Sequence, residues 1–259
     1  MHEVVDVSFL GTFGKGVTMK KLLPSIFTLG NLFCGFLAVV NTIEGLYITA
    51  AWWIIIAAIF DALDGKVARL TNSSSNFGVE FDSIADVVSF GLAPAVLFHA
   101  YIFADSGSVG YVLAFLYLAA GALRLARFNL TATTGKKHHF TGMPIPAGAG
   151  ILSSYVLFSE KVWSGILQFD VALAIVILTS LAMLSGFKYA TLPKIGFHSK
   201  KDIARSVWFI SHIVLVIKFP DEVFFPTGIL YLLSGPAKYV TTPAVDLVVN
   251  HVFHKADGG

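Results

Sequence analysis

Eight successive runs of predominantly apolar residues follow one another along this chain, and they limit its fold more than any other feature of the sequence. A bilayer's hydrocarbon core is about 30 Å thick, so a spanning helix needs roughly 20 such residues. The runs predict helices over 22–43, 46–66, 84–104, 109–129, 143–159, 166–187, 203–219 and 223–240. The runs at 143–159 and 223–240 are interrupted or flanked by Pro144, Pro146, Pro226 and Pro236. Membrane helices tolerate proline where neighbouring groups re-satisfy the freed backbone. Composition agrees with this reading: 56% of residues are hydrophobic, only 13% are charged, and mean hydropathy is +0.76. Soluble domains carry about 25% charge, so a globular surface here would be short of solvating groups. The same numbers exclude a disordered chain, a coiled coil and a collagen-like one. The expected fold class is all-α, a polytopic transmembrane helical bundle of about eight spans. The first run follows some twenty mixed residues without a small-residue cleavage site after it, so a cleaved signal peptide is not expected. Cys34 is the single cysteine, which excludes an internal disulfide.

Lys and Arg set the orientation, because cytoplasmic loops of membrane proteins carry the excess of both. With eight spans the two termini share one side. That side holds sixteen of the basic residues, including Lys66, Arg69, Arg124, Arg127, Lys136, Lys137, Lys188 and Lys200, against Lys161 and Lys218 opposite. The termini and the loops near 70–83, 130–142 and 188–202 are therefore expected in the cytoplasm. Residues 1–21 and 241–259 would be cytoplasmic flanks of a transmembrane domain over 22–240. The net charge of +2 is scattered among apolar spans, which gives no basis for a nucleic-acid partner.

The acidic residues are clustered. Asp61, Asp64, Glu80, Asp82 and Asp86 are five of the sixteen in the chain, at the cytoplasmic ends of the second and third spans. Asp61 and Asp64 are spaced i,i+3 and Asp82 and Asp86 i,i+4, so each pair projects from one helix face. The polar turn 71–78 would fold the second helix back and set the pairs opposite each other. Solvated charges at helix ends are the bland account of any one of them. Four facing carboxylates at a membrane edge instead repel one another, and the adjacent sequence offers no matching cluster of Lys or Arg. Bound divalent cations are the natural compensation, and an all-oxygen donor set selects Mg²⁺, Mn²⁺ or Ca²⁺ over Zn²⁺. Two such ions would clamp a phosphoryl group undergoing in-line displacement. Gly65 and Ala68 share the face of Asp61 and Asp64, leaving room for a bulky group or, alternatively, for close helix packing. Arg69 follows, placed to neutralise phosphate oxygens.

Written out, the segment reads Asp61-x2-Asp64-Gly65-x2-Ala68-Arg69-x8-Gly78-x3-Asp82-x3-Asp86. It resembles, at all eight positions, the signature of the CDP-alcohol phosphotransferase family. The resemblance implies a membrane enzyme with a six-helix core, a cytoplasm-facing site and homodimeric assembly. It would transfer a phosphoalcohol group from a CDP-linked donor to an acceptor hydroxyl, releasing CMP. The implied roles are metal ligation by Asp61, Asp64, Asp82 and Asp86 with two Mg²⁺ or Mn²⁺ ions, general base for Asp86, and CDP contacts at Gly65, Ala68, Arg69 and Gly78.

Four further segments resemble the serine-accepting, membrane-bound branch of that family in bacteria and archaea. They are 27–35 (FTLGNLFCG), 83–95 (SIADVVSFGLAPA), 123–129 (LRLARFN) and 140–147 (FTGMPIPA). This implies CDP-diacylglycerol as donor and L-serine as acceptor, with membrane lipid as the surroundings. Thr28 and Asn31, i,i+3 on the first span, are candidates for nucleotide contacts or for interhelical hydrogen bonds. Arg124 and Arg127, followed by Asn129, suit a serine carboxylate or a donor phosphate, with plain positive-inside anchoring as the alternative. Ser89, one turn past Asp86, would bond an acceptor or its own backbone. Thr141-Gly142 and Pro144-x-Pro146 would stiffen the chain as it returns into the membrane. His138-His139 beside Lys136-Lys137 reads as a basic loop attracted to anionic lipid rather than a metal site. Glycerol 3-phosphate and inositol phosphate are rival acceptors, though a dianionic phosphate would demand a denser basic pocket. A cation transporter is the rival from another class. Its site would sit near mid-membrane between repeated halves, and no inverted repeat is visible.

Overall fold

The computed structural model describes residues 19–71, 76–133, 142–165, 168–189 and 199–254. The N-terminal segment, the basic loop around His138-His139 and the last five residues lie outside them. Eight helices make up the described chain: α1 (Met19–Ile43), α2 (Tyr47–Thr71), α3 (76–106), α4 (Ser108–Thr133), α5 (Ile145–Val162), α6 (Phe169–Leu184), α7 (Lys200–Lys218) and α8 (Pro220–His254). Four of them, α1 to α4, are long and apolar enough to cross a membrane, and α6 is a shorter apolar helix. The protein is thus an all-helical membrane protein. Boundaries differ from expectation most at three places. The last helix, expected over 223–240 and followed by a flank, runs from Pro220 to His254. The third span reaches back to residue 76, because Phe77, Glu80 and Phe81 extend it as an amphipathic first turn. The sixth is trimmed to Phe169–Leu184, because the chain turns extended at Ser185.

α1 and α2 form a tight antiparallel hairpin. Gly45, at φ +76°, ends α1 in a left-handed cap: Leu46 N–H donates to Asn41 O (2.8 Å) and Gly45 N–H to Thr42 O (3.1 Å). Glycine is favoured there because a Cβ is strained at positive φ. Small buried residues, Ala38, Ala50, Ala51 and Ala57, let the helix axes approach. A Cβ at Gly30 would meet the Phe60 ring at 2.7 Å.

α3 is irregular for a reason visible in its sequence. It begins as Asn76–Asp86, widens into a π turn at Val87–Leu92, resumes as Ala93–Phe98 and widens again at His99–Phe103. Pro94 has no N–H to give to the carbonyl four residues back, and its ring crowds that carbonyl. The released Phe90 O accepts instead from the Tyr117 hydroxyl of α4 at 3.0 Å, with Tyr117 fully buried. The gap that Pro94 leaves in the helical ladder is thereby closed by a neighbouring helix.

The bundle has two ends. At one, Tyr101 of α3 donates to Glu160 of α5 (2.9 Å), and Phe103 meets Phe169 edge-on. At the other lie the start of α3 and the ends of α2, α4 and α6, where the acidic residues gather.

Candidate active site

The end of α2 and the start of α3 bring Asp61, Asp64 and Asp82 together: one oxygen of each lies within 4.8 Å of the others. Helical spacing accounts for part of this, since one turn separates the two aspartates of α2. Asp64 is buried and Asp82 half-buried. Asp86, one turn deeper on α3 and 7% exposed, stands outside that group of three. Repulsion among three carboxylates this close must be compensated. Side-chain hydrogen bonds to the buried pair come from neutral groups. The Thr28 hydroxyl lies 3.1 Å from Asp64 Oδ2, with Pro24 O of its own helix equally near. Asn31 Nδ2 donates to Asp86 Oδ1 at 3.2 Å.

A divalent metal fits this donor set. All the ligands are carboxylate oxygens, the chemistry of Mg²⁺ or Mn²⁺ sites. Asp82 Oδ1 is buried with no hydrogen-bond partner among the described residues, an orphan of the kind a cation would satisfy. Gly65, between Asp64 and Lys66, has open space where its Cβ would be. Close helix packing, one of the two accounts of that glycine, is therefore not what the structure shows.

The first helix emerges as the support of the acids. Thr28 and Asn31 make the interhelical bonds that were one of their two readings, and their partners are the acids themselves. Ser89 does not bond its own helix; its hydroxyl donates to Asn31 O at 2.9 Å. A Cβ at Gly35 would collide with Ser89, so α1 and α3 touch closely just where Asp86 sits.

The basic residues divide. Arg127 turns away from the acids, and its guanidinium donates to Leu184 O (3.0 Å), Met183 O (3.3 Å) and Ser185 O (3.3 Å). It caps the C-terminus of α6, whose last carbonyls lack partners within the helix. Gly142 at φ +84° and Met143 reinforce the same junction, their N–H groups donating to Phe187 O (2.9 Å) and Ala182 O (3.0 Å). Asn129 likewise ties α4 to α3, through Ser83 Oγ at 2.8 Å. The structure thus gives Arg127 and Asn129 bracing contacts between helices. Arg124 is different. It is 8% exposed, its guanidinium lies 5.8 Å from the centroid of the Phe128 ring, and its Nε has no hydrogen-bond partner among the described residues. Asp86, Arg127 and Tyr231 are the ionisable groups that act on it. Tyr231 of α8 was not anticipated. It stacks at a tilt on Tyr189 (5.3 Å), whose hydroxyl donates to Leu232 O (3.1 Å). No motif marked it, and only the docking of α8 brings it near Arg124. Ala68 is half-buried, Arg69 is exposed at the last turn of α2, and Gly78 lies in the first turn of α3.

Comparison with known proteins gives consistent matches. The sequence model of the CDP-alcohol phosphatidyltransferase family matches residues 21–187. A CDP-diacylglycerol–serine O-phosphatidyltransferase of Helicobacter pylori strain J99 is 34% identical over 236 residues, 90% of this chain and 95% of its own. A protein of the same name from Methanocaldococcus jannaschii is 34% identical, covering 82% of this chain and 92% of its own. An archaetidylserine synthase of Methanothermobacter thermautotrophicus is 34% identical, covering 70% and 75%.

Proposed function

Because the chain belongs to the CDP-alcohol phosphatidyltransferase family, we propose that it transfers the phosphatidyl group of CDP-diacylglycerol to the hydroxyl of L-serine, yielding phosphatidylserine and CMP. The observation that carries this reading is the convergence of Asp61, Asp64 and Asp82 from two helices, with a buried Asp86 one turn further along α3.

CDP-diacylglycerol enters sideways from the bilayer, its acyl chains staying in lipid and its diphosphate reaching the open face at Gly65 and Ala68. Arg69 and the backbone near Gly78 border the CDP moiety. Two Mg²⁺ or Mn²⁺ ions on Asp61, Asp64 and Asp82, with Asp86 at their edge, would neutralise the diphosphate and the charge developing on CMP. Thr28 and Asn31 hold Asp64 and Asp86 in place. Asp86 accepts the serine hydroxyl proton as that oxygen forms its bond to the lipid-linked phosphorus, and the bond from that phosphorus to the oxygen of CMP breaks. Arg124 takes the carboxylate of serine.

The proposed topology has eight spans over residues 22–240, with both termini and the acidic end in the cytoplasm, where serine and CMP are. Sixteen basic residues against two support that sidedness. Homodimeric assembly is part of the same reading. The direct test supplies CDP-diacylglycerol, Mg²⁺ or Mn²⁺ and radiolabelled serine to the purified protein. Label in chloroform-extractable lipid with matching CMP release is expected. CMP release with glycerol 3-phosphate or inositol phosphate, and not with serine, would replace serine as the acceptor.

A further inference from the structure

α3 changes its winding between the acids and the core. On the core side Ala93, Ala95, Leu97 and Phe98 are buried and hold the Ala93–Phe98 segment in place. On the other side Asn76–Asp86 carries Asp82 and Asp86. Between them the turn Val87–Leu92 is widened, and the Ala93 N–H donates to Val88 O, five residues back instead of four. π turns are rare, and single ones inside α-helices are frequent at functional sites.

The widening is held from three directions. Pro94 has no N–H for Phe90 O, so the regular bond at that point cannot form. The Tyr117 hydroxyl of α4 takes that oxygen at 3.0 Å, from a fully buried ring. The preceding residue, Ser89, is tied to α1: its hydroxyl donates to Asn31 O at 2.9 Å, and its Cα and Cβ occupy the space that a side chain at Gly35 would need. Consecutive residues of the turn are thus fastened to helices on opposite sides of it in the sequence. With Ala93–Phe98 fixed, tightening the turn to a regular one would rotate Asn76–Asp86 by about 100°, one residue's turn of an α-helix. That rotation would carry Asp86 off the Asn31 amide, which donates to it at 3.2 Å, and Asp82 off Asp61 and Asp64.

We propose that the π turn sets the angle at which α3 presents Asp82 and Asp86, and that Pro94 and Tyr117 are positioning residues that keep it open. Both act through the backbone of α3 and not on the acids themselves. This rests on the metal and base roles proposed above and adds the residues that aim them.

The experiment uses the full-length protein in detergent micelles. Three quantities are read: thermal midpoint, Mn²⁺ affinity by electron paramagnetic resonance without substrate, and kcat from CMP release with CDP-diacylglycerol and serine. Pro94→Ala/Tyr117→Phe returns an N–H to residue 94 and removes the competing donor, so Phe90 O is met by its own helix. Its midpoint should lie above that of Tyr117→Phe alone. Its Mn²⁺ affinity should nevertheless drop by about tenfold or more, and its kcat by about 10²-fold, as for a displacement of about 1 Å at reacting groups. A merely structural role would instead return stability and activity together. A folded double variant with native Mn²⁺ affinity and kcat overturns the proposal. Should that variant fail to fold, two single variants decide. Tyr117→Phe keeps the ring and should lower kcat about tenfold, with KM for serine within about threefold of native. Tyr155→Phe removes a comparable bond, from its hydroxyl to Gln168 O at 3.1 Å, at the far end of the bundle. It should leave kcat within about twofold of native. Equal losses of kcat in the two overturn the proposal as well. A native protein that binds Mn²⁺ yet releases no CMP with serine removes the acceptor reading, while the comparison of Mn²⁺ affinities still decides the role of the turn.

Discussion

At Asp86 the carboxylate receives the Asn31 amide at 3.2 Å and is 7% exposed, which fixes its orientation while keeping it an acceptor. Asp86→Asn preserves the shape and removes the base. The variant should fold and bind CDP-diacylglycerol, with kcat lowered about 10²- to 10⁴-fold, as for general bases elsewhere. Normal turnover by a folded Asp86→Asn protein would sink the base assignment. Asp82 belongs to the metal-binding reading, with its orphaned Oδ1. Chelation by EDTA should abolish CMP release and added Mg²⁺ or Mn²⁺ should restore it. Asp82→Ala should raise the metal concentration needed for half-maximal activity by about tenfold or more, loss of one ligand costing upwards of about 1.4 kcal/mol. Residue spacing made these acids legible, because i,i+3 and i,i+4 pairs have only one way to project from a helix. The separation of Arg124 from Arg127 was not legible. Both occupy the same stretch of α4, and which one is buried against Phe128 and which one caps a helix depends on what packs against each.

The helices carry their own predictions. Pro94 frees Phe90 O, and Tyr117 takes it. Tyr117→Phe should therefore destabilise the protein by about 1–3 kcal/mol, the cost of a buried carbonyl left unmet, seen as a lower thermal midpoint in detergent. A midpoint equal to the native one would mean the carbonyl finds another donor. Arg127 braces α4 to the last carbonyls of α6. Arg127→Gln should lower the midpoint similarly, yet leave KM for serine within about threefold, whereas loss of a substrate-binding guanidinium would raise it tenfold or more. The π turn after Asp86 follows from the Gly91 and Pro94 neighbourhood, but its register does not. Sequence periodicity alone continues α3 as a regular helix through that point.

For the whole molecule, sidedness is the quantity still to be measured. Ser164 is exposed in the α5–α6 turn, and Ser199 is exposed just ahead of α7. In a Cys34→Ala background, Ser164→Cys should react with a membrane-impermeant thiol reagent on intact cells, and Ser199→Cys only after permeabilisation. The reverse pattern would invert the topology and place the acids outside. Hydropathy determined that this chain is a helical membrane protein, and aspartate spacing determined its family, because apolar length and helical pitch are local properties of the chain. Tertiary structure decided the rest. It gave Thr28 and Asn31 hydrogen bonds to the acids, gave Arg127 and Asn129 bracing contacts, and brought α8 with Tyr231 against the bundle. Those outcomes depend on which helix faces meet, a choice made by packing between segments distant in sequence.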